Sequence, residues 1–344
     1  MPHGSDRRGE RLRLAGAAVV SPVATPGEPS PGIRIGVEVG AALIAGRPVV
    51  GLETSVIGQG LPTPRNLECI DRMAAAIRDA GAVPAWVGVL GGEVVVGLSE
   101  EELARFTEPG RADKVARRDL PAACARGGLG ATTVSATIWA AARAGIHVSA
   151  TGGIGGVHPG ERPDVSADLV ELSRTPGLLV CSGPKSIVDP AATAERLEEL
   201  GVSLLGYGVD RLPFFLAREA PVELEHRVET PEEAAAVLAA AIRLDTRSTV
   251  LLCVPIAEEL AMDAGEVAAA TRRCEERAER EGVRGRDLTP FLLACLAEET
   301  GGRSLEANLG LLESNAALAG AVAVAFVSSA GAPGAGGPTA TRSG

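Results

Sequence analysis

The sequence predicts a three-layer α/β/α fold with a mixed, largely parallel central sheet, and three observations predict it. Short apolar runs alternate along the chain with amphipathic stretches, the order produced when helices cross over between parallel strands. The apolar runs are nearly continuous, as strands covered on both faces must be. One pair of runs, AWVGVL and EVVVGL around Gly91–Gly92, reads as a β-hairpin, which brings an antiparallel pair into the sheet.

The expected strands are PVVGLE at 48–53, AVPAWVGVL at 82–90, EVVVGL at 93–98, IHVSAT at 146–151, GLLVCS at 177–182, VSLLGY at 202–207 and TVLLCV at 249–254. The expected helices are NLECIDRMAAAIRDAG, TVSATIWAAARAG, DPAATAERLEELG, TPEEAAAVLAAAIRLD and DAGEVAAATRRCEERAEREG. Several begin with Thr or Asp, whose side chains can accept from orphan N–H groups, and end at Gly, which tolerates the left-handed turn that stops a helix. Residues 1–30 are rich in Arg, Gly and Pro and lack periodicity. Their apolar part is short and soon meets proline, so they read as a disordered N-terminal extension and not as an export signal. The low-complexity stretch 328–344 reads as a disordered tail. Between them, 31–327 shows no linker and no repeat, and reads as a single α/β domain.

Composition narrows the function. The 344 residues are 46% hydrophobic and 22% charged, the balance of a globular protein with a substantial core. No apolar stretch reads as long enough to cross a bilayer, and no membrane partner is expected. Aromatics make up 2% and the formal net charge is -11, so bases find few stacking platforms and phosphate backbones find no basic face. A small-molecule partner is expected, and no nucleic acid polymer. Six cysteines, Cys69, Cys124, Cys181, Cys253, Cys274 and Cys295, lie mostly in apolar runs without a CxxC pair. They read as free buried thiols in a reducing, cytoplasmic compartment, and their spacing does not make a zinc site.

Of 33 basic residues only two are lysine, Lys114 and Lys185, leaving 31 arginines. Under such a bias a surviving lysine is a candidate for work that arginine cannot do, namely losing a proton and forming an imine. Lys185 follows the apolar run GLLVCS through Gly183–Pro184. It is either a surface cation or an amine whose pKa is lowered at a desolvated strand end. Lys114 either assists by like-charge repulsion or holds a phosphate. Glu53 ends another apolar run and is either a capping or ion-paired carboxylate or a partly buried acid with a raised pKa. In ATGGIGGVHPGERPDVSADL the four glycines either admit a phosphate to the backbone or turn the chain. His158, Ser166 and Asp168 follow them. Asp164 and Asp168 are either helix caps or hard oxygen ligands for a divalent cation.

The stretches GLETSVIGQGLPTPRNLE, KVARRDLP, GATTVSATI, ATGGIGGVH, DVSADLVEL, CSGPKSIVD, GYGVDRLPFF, LTPFLL and GGRSLEANLGLLESNAALA occur in order over about 31–327. Together they resemble the pseudouridine-5′-phosphate glycosidases, also called the indigoidine synthase A-like family. The resemblance implies reversible cleavage of the C–C glycosidic bond of pseudouridine 5′-phosphate to uracil and ribose 5-phosphate. It implies a divalent metal, typically Mn²⁺, a homotrimer, and the same three-layer fold. It places the proton donor on Glu53, the imine-forming lysine on Lys185 and the metal-binding aspartate on Asp164. Substrate contacts fall on Lys114, Val134 and the Ser166–Ala167–Asp168 segment, with His158 and Asn308 also matching active-site positions. The sequence departs from the family at Gln59 (usually His), Thr63 (usually Tyr) and Val254 (usually Asn), and HPGERPD is shorter than usual. An imine-forming aldolase or lyase on another phosphosugar shares Lys185 and is the alternative enzyme. An inactive sugar-phosphate-binding protein is the alternative outside catalysis, and it does not explain why Glu53, Lys185 and Asp164 occur together.

Overall fold

The computed structural model describes residues 32–159 and 164–330. The extension read over residues 1–30 lies outside them, as does the tail beyond Ala330. In chain order the strands are β1 (Ile33–Ile35), β2 (Val49–Glu53), β3 (Val83–Leu90), β4 (Glu93–Val96), β5 (Asp113–Val115), β6 (Leu129–Thr132) and β7 (Val148–Ala150). They continue with β8 (Val157–His158), β9 (Asp164–Val165), β10 (Gly177–Cys181), β11 (Leu204–Tyr207), β12 (Arg227–Val228) and β13 (Thr249–Cys253). The helices are α1 (Val37–Ile44), α2 (Arg65–Asp79), α3 (Glu100–Ala104), α4 (Leu120–Arg126), α5 (Val134–Arg143) and α6 (Ala167–Leu172). After them come α7 (Pro190–Glu199), α8 (Pro231–Arg243), α9 (Ala264–Glu281), α10 (Leu288–Glu299) and α11 (Arg303–Ala330).

One 11-stranded sheet runs β1-β4-β3-β2-β7-β10-β13-β11-β12, with β6 beside β3 and β5 beside β6. Its pairs are parallel except where β3 meets β4 and β6, so the sheet is mixed and largely parallel, as the sequence predicts. The short ribbon β8–β9 stands apart. Side-chain alternation builds the layers. On β10, Leu178 and Val180 join the core that contains α2, α8 and α11 residues, while Leu179 and Cys181 join the opposite core with α5, α6 and α7 residues. On β3, Trp86 faces the first core, and Ala85, Val87 and Val89 face a third cluster under α1, α4 and α5.

Helix α11 corrects one expectation. Over Arg303–Ser329 it is long and apolar enough, by length and composition, to cross a bilayer, although no stretch of that kind was read from the sequence. Half of its apolar window is buried inside the fold, against α2, α8 and strands β2, β7 and β10. The buried half belongs to the core. Leu309, Leu311 and Leu312 are buried, each contributing about 1.5–3 kcal/mol. The helix also continues to Ala330, three residues into the segment read as a tail.

The cysteines correct another. Cys274 on α9 and Cys295 on α10 form a disulfide with Cα atoms 5.7 Å apart, so six free thiols is wrong. The antiparallel α9–α10 hairpin brings the pair together from 21 residues apart in sequence, a separation that gives no local signal. Cys69, Cys124, Cys181 and Cys253 are free. Burial pushes the Cys69 thiol up to about 12, which suits it to packing and not to chemistry.

Helices α2 and α11 approach closely at Gly320, where a Cβ would lie 2.7 Å from the Cβ of Ala80. Gly320→Leu is therefore expected to force the helices apart at a cost of about 1–3 kcal/mol. A lowered thermal midpoint by circular dichroism checks this, and an unchanged midpoint would show that the layer yields without strain.

Candidate active site

Three neighbouring parallel strands end at one edge of the sheet, and the chemistry follows them. Strand β7 lies between β2 and β10, with Ala150 level with both Leu52 and Val180. The next residues along these strands are Glu53, Thr151 and Cys181, and the chain after Cys181 leads through Ser182–Gly183–Pro184 to Lys185. The carboxyl ends of parallel strands are where ligands bind in open α/β sheets. A cavity of about 200 Å³ opens there.

Glu53 is 4% exposed. Its two carboxylate oxygens accept hydrogen bonds from Ser55 Oγ and Thr151 Oγ1. It caps no helix and, among the described residues, makes no ion pair; it is a buried carboxyl held by two hydroxyls. Lys185 is stitched to the glycine-rich loop through its own backbone: Lys185 N donates to Ile154 O, and Ile154 N donates to Gly183 O. Lys114 enters from β5 and lines the same cavity. Burial, and after it the like charge of Lys185, holds the Lys114 ammonium below the ordinary lysine range, opposed by Asp168, Glu53 and Asp287.

The four glycines after Thr151 have no positive φ; they are needed for close packing. A Cβ on Gly155 would lie 2.3 Å from Ser166 Oγ, and one on Gly156 would lie 2.3 Å from Thr193 Oγ1. Asp168 uses both oxygens on this loop and its neighbour, accepting from Gly155 N and Ser135 N at 3.0 Å each. Ser166, not Asp164 or Asp168, caps α6, its Oγ accepting from Asp168 N. Asp164 is exposed on β9, in register with His158 on β8. Burial lowers the pKa of His158, with the Asp164 charge and a hydrogen bond to the Ile187 backbone opposing.

Among the described residues no group of three or more His, Cys, Asp or Glu is arranged to hold a metal. The donor chemistry present, one exposed carboxylate at the cavity wall, fits a largely hydrated Mg²⁺- or Mn²⁺-type ion and not an all-protein cage.

All ten residues singled out in the sequence line this cavity: Glu53, Lys114, Val134, His158, Asp164, Ser166, Ala167, Asp168, Lys185 and Asn308. Val134 begins α5 and Asn308 lies on α11, both buried. Sequence reasoning missed Ser55 and Thr151, although both stand inside quoted motifs next to Glu53 and the glycine loop. It also gave no role to the wall supplied by Gly285, Thr289, Pro290 and Leu293 from the α9–α10 hairpin, although the last three stand inside the quoted stretch LTPFLL. Of the three departures, only Gln59 lines the cavity. Its Nε2 donates to Ala112 O and its Oε1 is buried without a partner. Thr63 donates to Thr107 O at an exposed position, and Val254 is core. A larger open groove of about 1530 Å³ over α5, α6 and α7 contains neither Glu53 nor Lys185, so volume does not locate the chemistry here.

Comparison with known proteins shows the family and the fold. The family model for indigoidine synthase A like protein matches residues 38–325. A pseudouridine-5′-phosphate glycosidase of Saccharopolyspora erythraea is 46% identical over 294 residues, covering 85% of this chain and 97% of the relative. One from Rhodospirillum centenum is 49% identical over 291 residues, covering 84% and 91%. Among solved structures, an indigoidine synthase A-like protein of Thermotoga maritima superposes with a TM-score of 0.79 at 41% identity, covering 86% of this chain and 96% of its own. The prealnumycin C-glycosynthase AlnA in complex with ribulose 5-phosphate gives 0.80 at 39% identity, covering 88% and 99%.

Gly183 tests the geometry that delivers Lys185. Its φ is +73°, and a Cβ would lie 1.8 Å from Pro213 O. Gly183→Ala is expected to lower the thermal midpoint, with at least about 1–2 kcal/mol lost to the left-handed backbone alone. It should also alter the rate at which an acylating reagent modifies Lys185, read by peptide mass spectrometry. Wild-type values for both would show that this glycine does not set the loop.

Proposed function

Because the chain belongs to the indigoidine synthase A-like family, we propose that it is a pseudouridine-5′-phosphate glycosidase that reversibly cleaves the C–C glycosidic bond to give uracil and ribose 5-phosphate. The observation that carries this reading is the meeting of a hydroxyl-held carboxyl, Glu53 after β2, and a lysine, Lys185 after β10, in one cavity across the end of β7, with the second lysine lining the same cavity.

A C–C glycosidic bond offers no heteroatom leaving group, so opening the sugar provides an easier route. Glu53 protonates the ring oxygen, and the amine of Lys185 bonds C1′ as the C1′–O bond breaks and its electron pair passes to that oxygen. The charge of Lys185 is one of the causes, after burial, that hold the Lys114 ammonium below the ordinary lysine range. The electron pair of the C1′–C5 bond stays with uracil as C5 gains a proton, leaving an iminium between C1′ and Lys185 that water hydrolyses. General acid help of this kind is commonly worth about 10²–10⁴-fold, and covalent catalysis divides the hard step into easier ones. Lys114 supplies local positive charge for the phosphate of an anionic substrate on a protein of net charge -11. His158, Val134, Ser166, Ala167, Asp168 and Asn308 form the walls that orient it. Asp164 would hold the divalent ion, Mn²⁺ in this reading, which would supply positive charge near the substrate. A cytoplasmic homotrimer is part of the same proposal.

Incubation with ribose 5-phosphate and borohydride should fix the sugar on Lys185, and Lys185→Arg should abolish turnover because guanidinium forms no imine. Adduct on another residue would overturn the assignment. Release of uracil from pseudouridine 5′-phosphate separates this activity from an aldolase that shares the lysine.

Chelation should remove most of the uracil release and Mn²⁺ should restore it. Asp164→Ala should raise the Mn²⁺ concentration needed without lowering the thermal midpoint, since Asp164 is exposed and caps no helix. Full activity in excess chelator would remove the metal from the account.

A further inference from the structure

Asn315, midway along α11, is 0% exposed and lines no part of the cavity. Its Nδ2 donates to Thr151 O at 2.9 Å and to Ser182 Oγ at 3.1 Å, with Gly152 O at 3.4 Å. Thr151 is the residue whose hydroxyl donates to Glu53. Ser182 opens the turn that leads, through Gly183 and Pro184, to Lys185. One amide on the helical layer therefore grips the two strand ends that carry the acid's partner and the amine. Main-chain bonds already join these ends to each other, Thr151 N to Val180 O and Ser182 N to Gly152 O. Among the described residues, Asn315 is the side chain of the helical layer that hydrogen-bonds both.

The chemistry of the side chain suits this place. Its two N–H bonds are spent one on each strand end. A leucine of similar size would leave Thr151 O and Ser182 Oγ without a donor in a buried setting. An aspartate would bring an acceptor-only charge toward Glu53.

We infer that Asn315 is a positioning residue that sets the spacing between the Glu53 carboxyl and the Lys185 amine; the inference rests on the acid–lysine reading of the site. It touches no substrate and acts through Thr151 and Ser182. Lys114 reaches the cavity from β5, on the far side of β3 and β6, so phosphate binding does not depend on this clamp.

The test compares Asn315→Leu and Ser182→Ala with wild type, using pseudouridine 5′-phosphate and Mn²⁺. Displacement of reacting groups by about 1 Å costs on the order of 10²-fold in rate, so Asn315→Leu should lose that much in kcat with KM nearly unchanged. Ser182→Ala, which removes one of the two ties, should fold even if Asn315→Leu does not, and should lose less in kcat with the same unchanged KM. Adding Ser182→Ala to Asn315→Leu should cost little more, because both act through one contact. A normal kcat in the folded variants, or equal damage to kcat and KM, would overturn the proposal whatever happens to the thermal midpoint. A second readout needs no turnover. Acetic anhydride labels the two lysines, and the ratio of Lys185 to Lys114 labelling should change in either variant. An unchanged ratio overturns the positioning role; a changed ratio in a protein that releases no uracil keeps it and sinks the proposed reaction instead.

Discussion

Everything in the site depends on β7 running parallel between β2 and β10. Because the three strands point the same way, their carboxyl ends emerge at one edge, and residues far apart in sequence become lateral neighbours. The register places Thr151 beside Glu53, close enough for its hydroxyl to hold the carboxylate. A slip of one residue would turn Glu53 and Thr151 to opposite faces. Val50 and Leu52 on β2 and Val148 and Ala150 on β7 are buried in one core, and a slip would replace an apolar pair on that face by Gly51 or Ser149. The same packing that stabilises the sheet therefore fixes the acid.

Around this edge, buried polar groups are satisfied by one another. An unpaired buried polar group costs about 1–3 kcal/mol, so a cluster of this kind persists only when its members are matched. Asp168 spends both oxygens on backbone N–H groups, and Glu53 is met by two hydroxyls. The matched groups form a rigid frame, which a reaction needing acid and amine at fixed separation requires. Gln59 Oε1 and Thr271 Oγ1 are the buried side-chain oxygens left without a partner among the described residues. Gln59 forms part of the cavity wall, at a position where the sequence reading expected a departure from the family pattern.

Much of this was legible in the sequence, for physical reasons. Strands buried on both faces must be continuously apolar, so β2, β3, β7, β10 and β13 announce themselves. Capped amphipathic helices such as α8, where Thr230 accepts from Glu233 N, do the same. Lysine was informative because arginine had displaced it everywhere else. What the sequence concealed is what depends on three-dimensional proximity. Strands β5 and β6 are too short for periodicity, and α11 is apolar on too many sides to show a face. Asn315 looks like any polar residue in a helix until the ends of β7 and β10 are placed beneath it. The Cys274–Cys295 bond needs the α9–α10 hairpin before it can be seen.

Helix α11 follows every strand among the described residues, yet it covers the middle of the sheet, against α2 and α8 and over β2, β7 and β10. During synthesis from the amino end, the whole sheet can pair before its central apolar face has a cover. Leu178, Val180, Val148 and Val50 would then remain open to solvent or to other nascent chains, the circumstance in which intermediates aggregate. Asn308 and Asn315 arrive with the same helix, so the active edge is completed by the element that closes the core. Maturation of the catalyst and the end of its exposure to misassembly are thus one event, timed by the order in which the ribosome delivers the chain.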